Sequence, residues 1–295
     1  MKLSAMEKAE ILIEALPYIK EFYGRKVVIK YGGAAMIDKE LQAKVMQDIV
    51  LMRYVGMNPI VVHGGGPEIN RLLKRLQIET HFVNGMRYTD QDTMEVVEMI
   101  LGGKVNQQIV SGLNAGGGHA VGLSGKDAGL ITARSMAADG SLGFVGEVEK
   151  VNPGVIDTLI QQEYIPVIAP LGMDEQGNAY NINADLAASA IASAVKADKL
   201  VLLTDVPGLL RDVHDESSRI SQLHLKEIPG YIQDGVIAGG MIPKIACCEQ
   251  AVRSGVGRTH IVDGRVPHSI LLEIFTRAGV GTMVLPDTES DMEQE

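Results

Sequence analysis

The chain has 295 residues, 46% hydrophobic and 22% charged, the composition of a globular protein with room for one large domain or two lobes. Its net charge of −10 and pI near 5.2 argue against nucleic acid or an anionic membrane as the main partner. No stretch reaches the ~18 apolar residues of a spanning helix, acidic Glu7, Glu10 and Glu14 are unlike a signal peptide, and the adjacent Cys247 and Cys248 suit helix packing in a reducing cytoplasm rather than a disulfide or metal site.

Residues 6–22 carry Ile11, Leu12, Ala15, Leu16, Ile19 and Phe22 near one face of an amphipathic helix, with Pro17 as a kink. Two readings of that face stand level: packing on its own domain, or contact with another copy. Lys26-Val27-Val28-Ile29-Lys30-Tyr31 is the first buried strand, closed by Gly32-Gly33. Lys30 stands out there, because burying an ammonium is costly unless it meets a charge. Asp38 caps the next helix, whose apolar positions Leu41, Val45, Ile49 and Met52 repeat until Gly56 stops it. A second strand, Pro59 to Val62, runs into His63-Gly64-Gly65-Gly66-Pro67 and then a helix with Ile69, Leu72, Leu73 and Leu76. This β-α-β-α order predicts a parallel sheet. A glycine loop between strand and helix presents outward N–H groups and a positive dipole end to an anion, and a tight turn that needs glycine is the competing reading.

Thr80 to Val83 reads as a strand and Asn84-Gly85 as a hairpin turn. Thr89 with Asp92 forms a capping box for a helix through Met94, Val97, Ile100 and Leu101. Arg87 is either a surface residue beyond the turn or a planar fork for a carboxylate. Residues 111–150 are glycine-rich, with β-like pieces at Ala120 to Leu123 and Gly143 to Val151. The segment ending Gly125-Lys126-Asp127 fails as a P-loop, because Ala120 and Asp127 stand where glycine and Ser/Thr are needed.

Asn152-Pro153 opens another helix, and Ile165 to Ala169 is a buried strand. Asn183 then caps an alanine-rich helix with Asp185 in its first turn, and capping and the dipole account for both residues locally. Lys199 to Thr204 is a strand ending in the polar loop Thr204-Asp205-Val206-Pro207-Gly208, at the strand end where α/β proteins place ligands. Gly239-Gly240-Met241-Ile242-Pro243-Lys244 starts the next helix. Lys244 is therefore a cation at a positive helix end, a cost that an anionic ligand would offset. Arg258 to Val262, a helix through Leu271, Leu272 and Phe275, and Thr282 to Leu285 complete the chain before a frayed tail of ten residues.

There is no defensible Ser-His-Asp pattern, metal-ligand cluster or G-x-G-x-x-G fingerprint. Lysines and loop amides without an evident base suit phosphoryl transfer to an acceptor that is already ionised, such as a carboxylate.

Lys30-Tyr31-Gly32-Gly33, Val62-His63-Gly64-Gly65-Gly66-Pro67, Asn84-Gly85-Met86-Arg87-Tyr88-Thr89-Asp90, Asn181-Ile182-Asn183-Ala184-Asp185 and Gly240-Met241-Ile242-Pro243-Lys244 occur in this order. Together they resemble the amino acid kinase family over about residues 10–285, in particular its members that act on N-acetyl-L-glutamate. The resemblance implies an α/β fold, a three-layer αβα sandwich around a mainly parallel central sheet. It implies ATP with Mg as donor, the side-chain carboxylate of N-acetyl-L-glutamate as acceptor, and a cytoplasmic step of arginine biosynthesis. It also implies an oligomerisation helix (1–25), an N-terminal lobe for the amino acid and dimerisation (26–190), and a C-terminal lobe for ATP and arginine (191–295).

Residue by residue, the resemblance makes Lys30 and Lys244 neutralise the transferring phosphoryl group while Asp185 holds both lysines. Amides of Gly33 and Gly65 would donate to that group. Gly64, Gly65, Gly66, Arg87 and Asn181 would surround the acceptor. Thr204, Asp205, Gly208, Gly239 and Met241 would lie along the nucleotide with Lys244, and no side chain is expected to ligate metal. The helix around Ala15-Leu16-Pro17-Tyr18-Ile19 and the segment His268 to Thr276 with Gly279-Val280-Gly281-Thr282 resemble arginine-inhibited members. In those, interlaced N-terminal helices join dimers into a hexamer and arginine binds beside them. The implied contacts are Tyr18, His268, Glu273 and Gly281, and the implied assembly is a homohexamer. A nitrogen-signalling PII protein, which binds phototrophic relatives, stays open as a partner. The competing readings are a same-fold kinase for an aminoadipate derivative, glutamate, aspartate, carbamate or a nucleoside monophosphate, and a non-catalytic nucleotide- or anion-binding member.

Overall fold

Val27, Val28 and Ile29 point alternately to two sides of one strand, and all three are fully buried, so that strand must be covered on both faces. A computed structural model, describing residues 4–83, 85–137, 139–276 and 279–287 and Ala34 by its backbone alone, puts this strand, β1 (Lys26–Tyr31), inside an eight-stranded sheet. Before it comes α1 (Ala5–Phe22). After it, α2 (Lys39–Tyr54) leads to β2 (Asn58–His63), and α3 (Gly66–Leu76) follows the glycine loop. A short hairpin, β3 (Phe82–Val83) with β4 (Met86–Arg87), precedes one long helical stretch. That stretch is α4 (Gln91–Glu98), a π-helical segment over Met99–Val105, and α5 (Asn106–Ala115).

The middle of the chain forms β5 (Ala120–Ser124), β6 (Ile131–Ser135), β7 (Val145–Val151), α6 (Gly154–Gln161), β8 (Ile165–Ala169), β9 (Leu171–Met173) and β10 (Ala179–Ile182). Then come α7 (Ala184–Ala194), β11 (Lys199–Thr204), β12 (Gln222–His224), α8 (Ile228–Gln233), α9 (Met241–Arg253), β13 (Arg258–Asp263), α10 (Ser269–Ile274) and β14 (Thr282–Leu285).

The sheet order is β12-β14-β13-β11-β1-β2-β8-β5, parallel throughout except between β13 and β14. One core joins Ile29 to Ile49 of α2, Leu73 of α3, Ile109 of α5 and Ile270 of α10. The other joins Val28 to Ile156 of α6, Ile191 of α7 and Ile245 and Cys248 of α9. The expected three-layer αβα sandwich with a mainly parallel sheet is therefore the observed fold. β6, β7, β9 and β10 close a small barrel beside it. From β1 the chain extends to β2 on one side, whereas β11 and β13 lie on the other, so the crevice at the order reversal sits at the carboxyl ends of β1 and β11.

Several local readings need correction. α4 is capped by Asp90, whose carboxylate accepts from the Thr93 N–H, and not by Thr89, which is buried and donates its hydroxyl to the Arg87 carbonyl. The glycine-rich middle holds β6, and two further short strands, β9 and β10, flank residue 175. α1 runs across Pro17 and begins in a Ser4/Glu7 capping box. Asn84 of the hairpin turn and residues 288–295 of the frayed tail lie outside the described residues.

Both cysteines pack inside α9 as expected, and burial pushes each thiol up to about 12, far from thiolate formation at neutral pH.

Candidate active site

The carboxyl ends of β1 and β2 and the first turns of α7 and α9 bring distant residues together. Lys30, one residue from the end of β1, places its Nζ 2.8 Å from Asp185 Oδ1, and Lys244, in the first turn of α9, places its Nζ 3.4 Å from Asp185 Oδ2. Burial alone would raise the Asp185 carboxyl, but the Lys30 and Lys244 charges outweigh it and hold it below the usual aspartate range. One carboxylate thus fixes two ammonium groups at the mouth of the crevice. Asn183 supports it from behind, accepting the Asp185 and Leu186 N–H groups at 2.9 and 3.3 Å. The capping reading of Asn183 is correct, and it is compatible with a site role for Asp185.

Two glycine loops flank this triad. Gly33 has φ +67°, and a Cβ there would lie 3.0 Å from Asp205 Oδ1, so the loop after β1 sits against the loop after β11. A Cβ on Gly32 would stand 2.7 Å from the Lys30 ammonium, so Gly32 leaves the space that this side chain folds into. The Gly64 N–H donates to the Tyr31 carbonyl at 2.8 Å, which ties the second loop to the first.

Gly64, Gly65, Gly66, Arg87 and Asn181 all line one cleft of about 190 Å³, with Ile69, Leu101 and Pro170 among its apolar walls. Arg87 is a buried residue, not a surface one. Its Nη1 donates to Thr80 Oγ1 at 2.8 Å, its Nη2 donates to Asn70 Oδ1 at 2.6 Å, and its guanidinium lies over the Phe82 ring at 4.7 Å. Asn181 Nδ2 donates to Thr89 Oγ1 at 3.2 Å, which links it to the strand that carries Arg87. A planar cation with a fixed direction, facing an apolar-walled cleft, suits a carboxylate.

Of the residues assigned to a nucleotide, Thr204, Asp205 and Gly208 lie at or after the carboxyl end of β11, and Gly239 and Met241 lie at the start of α9. Thr204 ends β11, with its hydroxyl turned back to the Val206 carbonyl at 3.1 Å. Asp205 is exposed beside Gly33, Gly239 is exposed ahead of α9, and Met241 opens that helix half-buried. Gly208 is buried against Thr282, where a Cβ would meet Oγ1 at 2.6 Å, which gives it a packing role.

A second cleft, about 300 Å³, opens between α1 and the strands of the C-terminal half. Tyr18, Glu273 and Gly281 line it with Lys199, Arg258 and His260. Glu273 accepts from the Val280 and Gly281 N–H groups at 2.7 and 2.9 Å and pairs with His260 Nδ1 at 2.7 Å. Lys199 lies 4.2 Å over the Phe22 ring, and burial, aided by Arg258, pushes its ammonium down to about 8. His268 is not in this set. It caps α10 and pairs with Asp48 of α2 at 2.5 Å.

Sequence reasoning missed the residues that act through others. Thr80 and Asn70 orient Arg87, and only their polarity marked them. His63 stands inside a recognised motif yet is fully buried beneath the glycine loop, where burial pushes its imidazole down to about 4 and keeps it neutral. Its partner Asn106, at the π-to-α junction, carries no local pattern.

The model of the amino acid kinase family matches residues 25–263. The chain is 66% identical over 285 residues to the acetylglutamate kinase of Syntrophomonas wolfei, covering 97% of this chain and 99% of the relative. It is 58% identical over 295 residues to the acetylglutamate kinase of Moorella thermoacetica, covering 97% and 100%. Among solved structures, N-acetylglutamate synthase from Neisseria gonorrhoeae complexed with coenzyme A and N-acetyl-glutamate superposes with a TM-score of 0.83 at 24% identity, over 95% of this chain and 64% of the synthase. Carbamate kinase from Giardia lamblia bound to AMP-PNP superposes with a TM-score of 0.66 at 19% identity, over 90% and 99%. These two structural likenesses speak for the fold.

Proposed function

Because the chain belongs to the amino acid kinase family, we propose that it transfers the γ-phosphoryl group of ATP to the side-chain carboxylate of N-acetyl-L-glutamate. The observation that carries this reading is the Lys30–Asp185–Lys244 triad, whose Asp185 directly follows Asn183 and Ala184 of the cleft lined by Gly64, Gly65, Gly66, Arg87 and Asn181. The acceptor is ionised at neutral pH and needs no base. Its oxygen attacks phosphorus, the bond to the β–γ bridging oxygen breaks, and the products are an acyl phosphate and ADP. The obstacle is charge, because an anion approaches an anion. One ammonium about 4 Å from a phosphoryl charge contributes roughly 4 kcal/mol at an effective dielectric near 20, before desolvation. Lys30 and Lys244 fill this role, with the Gly33 and Gly65 amides donating to the phosphoryl oxygens. Arg87 and Asn181 hold the α-carboxylate. Thr204, Asp205, Gly239 and Met241 flank the nucleotide, and Gly208, packed on Thr282, supports the loop that carries Asp205.

Mg²⁺ is held chiefly by nucleotide phosphates in kinase sites. Both oxygens of Asp185 face ammonium groups, so the ion would be held by the nucleotide phosphates rather than by that carboxylate. The ion supplies charge neutralisation when bound.

Arginine as a feedback inhibitor is the second part of the reading, supported by the cleft that joins Tyr18, Glu273 and Gly281 to two cations. Lys199 and Arg258 suit the arginine carboxylate, and Glu21 and Glu273 suit its cationic groups. A hexamer in the cytoplasm, built through α1, completes the proposal.

The test is trapping of acyl phosphate as the hydroxamate with N-acetyl-L-glutamate, glutamate, aspartate and carbamate, with and without arginine. Turnover confined to N-acetyl-L-glutamate and suppressed by arginine is expected. Preference for another acceptor, or ATP binding without turnover, overturns the assignment.

A further inference from the structure

We infer that His63 and Asn106 form a positioning pair that turns the Gly64–Gly65 peptide so that the Gly65 N–H faces the transferring phosphoryl group, an inference that rests on the phosphoryl-transfer reading above. The orientation follows from donors and acceptors taken in turn. Asn106 Nδ2 lies 2.9 Å from the Val167 carbonyl oxygen and 3.3 Å from that of Leu123. Both oxygens only accept, so the nitrogen of the side-chain amide, not its oxygen, must face them. The same Nδ2 stands 3.2 Å from His63 Nε2. Two hydrogens serve these three neighbours, so one is shared; the amide nitrogen has no lone pair with which to accept from an Nε2–H, so Nε2 is the bare nitrogen and the ring proton sits on Nδ1. Nδ1 lies 2.8 Å from the Gly64 carbonyl oxygen and donates to it.

The peptide itself carries the effect outward. In a trans peptide the C=O and N–H point in opposite directions, and no cis bond occurs among the described residues. With the Gly64 oxygen held inward on a buried imidazole, the Gly65 N–H is aimed the other way, toward the cleft that Gly64, Gly65 and Gly66 line. Two glycines in succession resist a peptide flip only weakly, so this loop needs an external lock. The π-helical segment supplies the base for it. Its Leu101 packs under Gly65, where a Cβ would meet Cδ2 at 2.4 Å, and its end delivers Asn106 beneath His63. Gly122 makes the seat for Asn106, since a Cβ there would lie 2.0 Å from Oδ1.

Two substitutions separate the bonds of the pair. His63→Asn places an amide nitrogen near the Nδ1 position and keeps a donor for the Gly64 oxygen. His63→Gln places its amide near Nε2 and loses that donor. An N–H aimed at charge that develops in the transition state should affect kcat more than KM. His63→Gln is expected to lower kcat by about 10- to 100-fold, less than outright loss of an oxyanion donor, with both KM values within about threefold. His63→Asn is expected to stay within about threefold of wild type in kcat. Long-range ¹H–¹⁵N spectra of the wild-type enzyme should show His63 as the Nδ1–H tautomer. An Nε2–H tautomer, or a His63→Gln variant with wild-type kcat, overturns the proposal. The tautomer measurement needs no turnover and no folded variant. A wild-type enzyme inactive on N-acetyl-L-glutamate would therefore refute the assigned reaction and leave the lock to be judged by its spectrum.

Discussion

Lys30 and Lys244 are both placed where a cation is costly, one near the end of a central strand and the other in a helix's first turn, and both converge on Asp185. Their cost identifies them, because an ammonium with only a shared counter-ion is left with charge to give to an anion. Lys30→Ala or Lys244→Ala is expected to lower kcat on the order of 100-fold or more, as loss of one preorganised stabilising group does. Steady-state hydroxamate assays check this, and wild-type turnover in either variant would rule out the triad as the phosphoryl site. These two residues were legible because local rules made each of them anomalous. Arg87 was legible only as a choice between surface and site, since its burial is decided by Asn70 and Phe82 on other elements. His63 and Asn106 lie 43 positions apart, and no periodicity records a hydrogen bond between a strand end and a helix junction.

At the scale of elements, the long periodic pieces were readable and the short ones were not. β1, β2, β8, β11 and the helices α2, α3 and α7 follow buried runs or 3.6-residue spacing, with caps at Asp38 and Asn183. β9 and β10, of three and four residues, are too short for a period to emerge, and the barrel they close is held by pairing across distant segments. The tie between α2 and α10 was equally hidden. Asp48, fully buried on α2, is pushed up to about 6 by burial, against the opposing pull of His268 at the α10 cap. A carboxyl held above its ordinary value of 3.8 binds its proton more tightly in the fold than in the unfolded chain. It therefore contributes stability that is full below about pH 4 and lost as pH rises through about 6. A gap of that size corresponds to about 3 kcal/mol. Asp48→Asn carries no titrating charge, so the variant is expected to gain on wild type by up to about this amount between pH 4 and pH 7. Denaturant midpoints across that range decide it, and parallel curves for the two proteins would refute the account.

At the scale of the whole molecule, α1 poses the largest unbalanced term. Met6, Ile11, Leu12, Ile13 and Leu16 are exposed on it, with Leu12 at 71% and Ile13 at 68%, while Phe22 alone is buried, against the C-terminal half. Of the two readings of its apolar face, packing within its own domain therefore accounts only for the last turns. An apolar helix face of this extent is what an assembly contact covers. The same helix places Tyr18, Glu21 and Phe22 on the wall of the second cleft, so assembly and ligand binding would share one element. Replacing Leu12 and Leu16 together by Glu leaves those three residues in place and puts charge on the face proposed to meet another copy. The expected result is a fall from hexamer to dimer in sedimentation velocity, an arginine midpoint raised by about tenfold or more, a shift of about 1.4 kcal/mol in binding, and uninhibited kcat close to wild type. A hexamer that persists with an unchanged arginine midpoint would sever α1 from both assembly and regulation. A dimer that keeps its arginine response would show that the cleft works within one copy, with α1 acting as its wall and the hexamer as a separate matter.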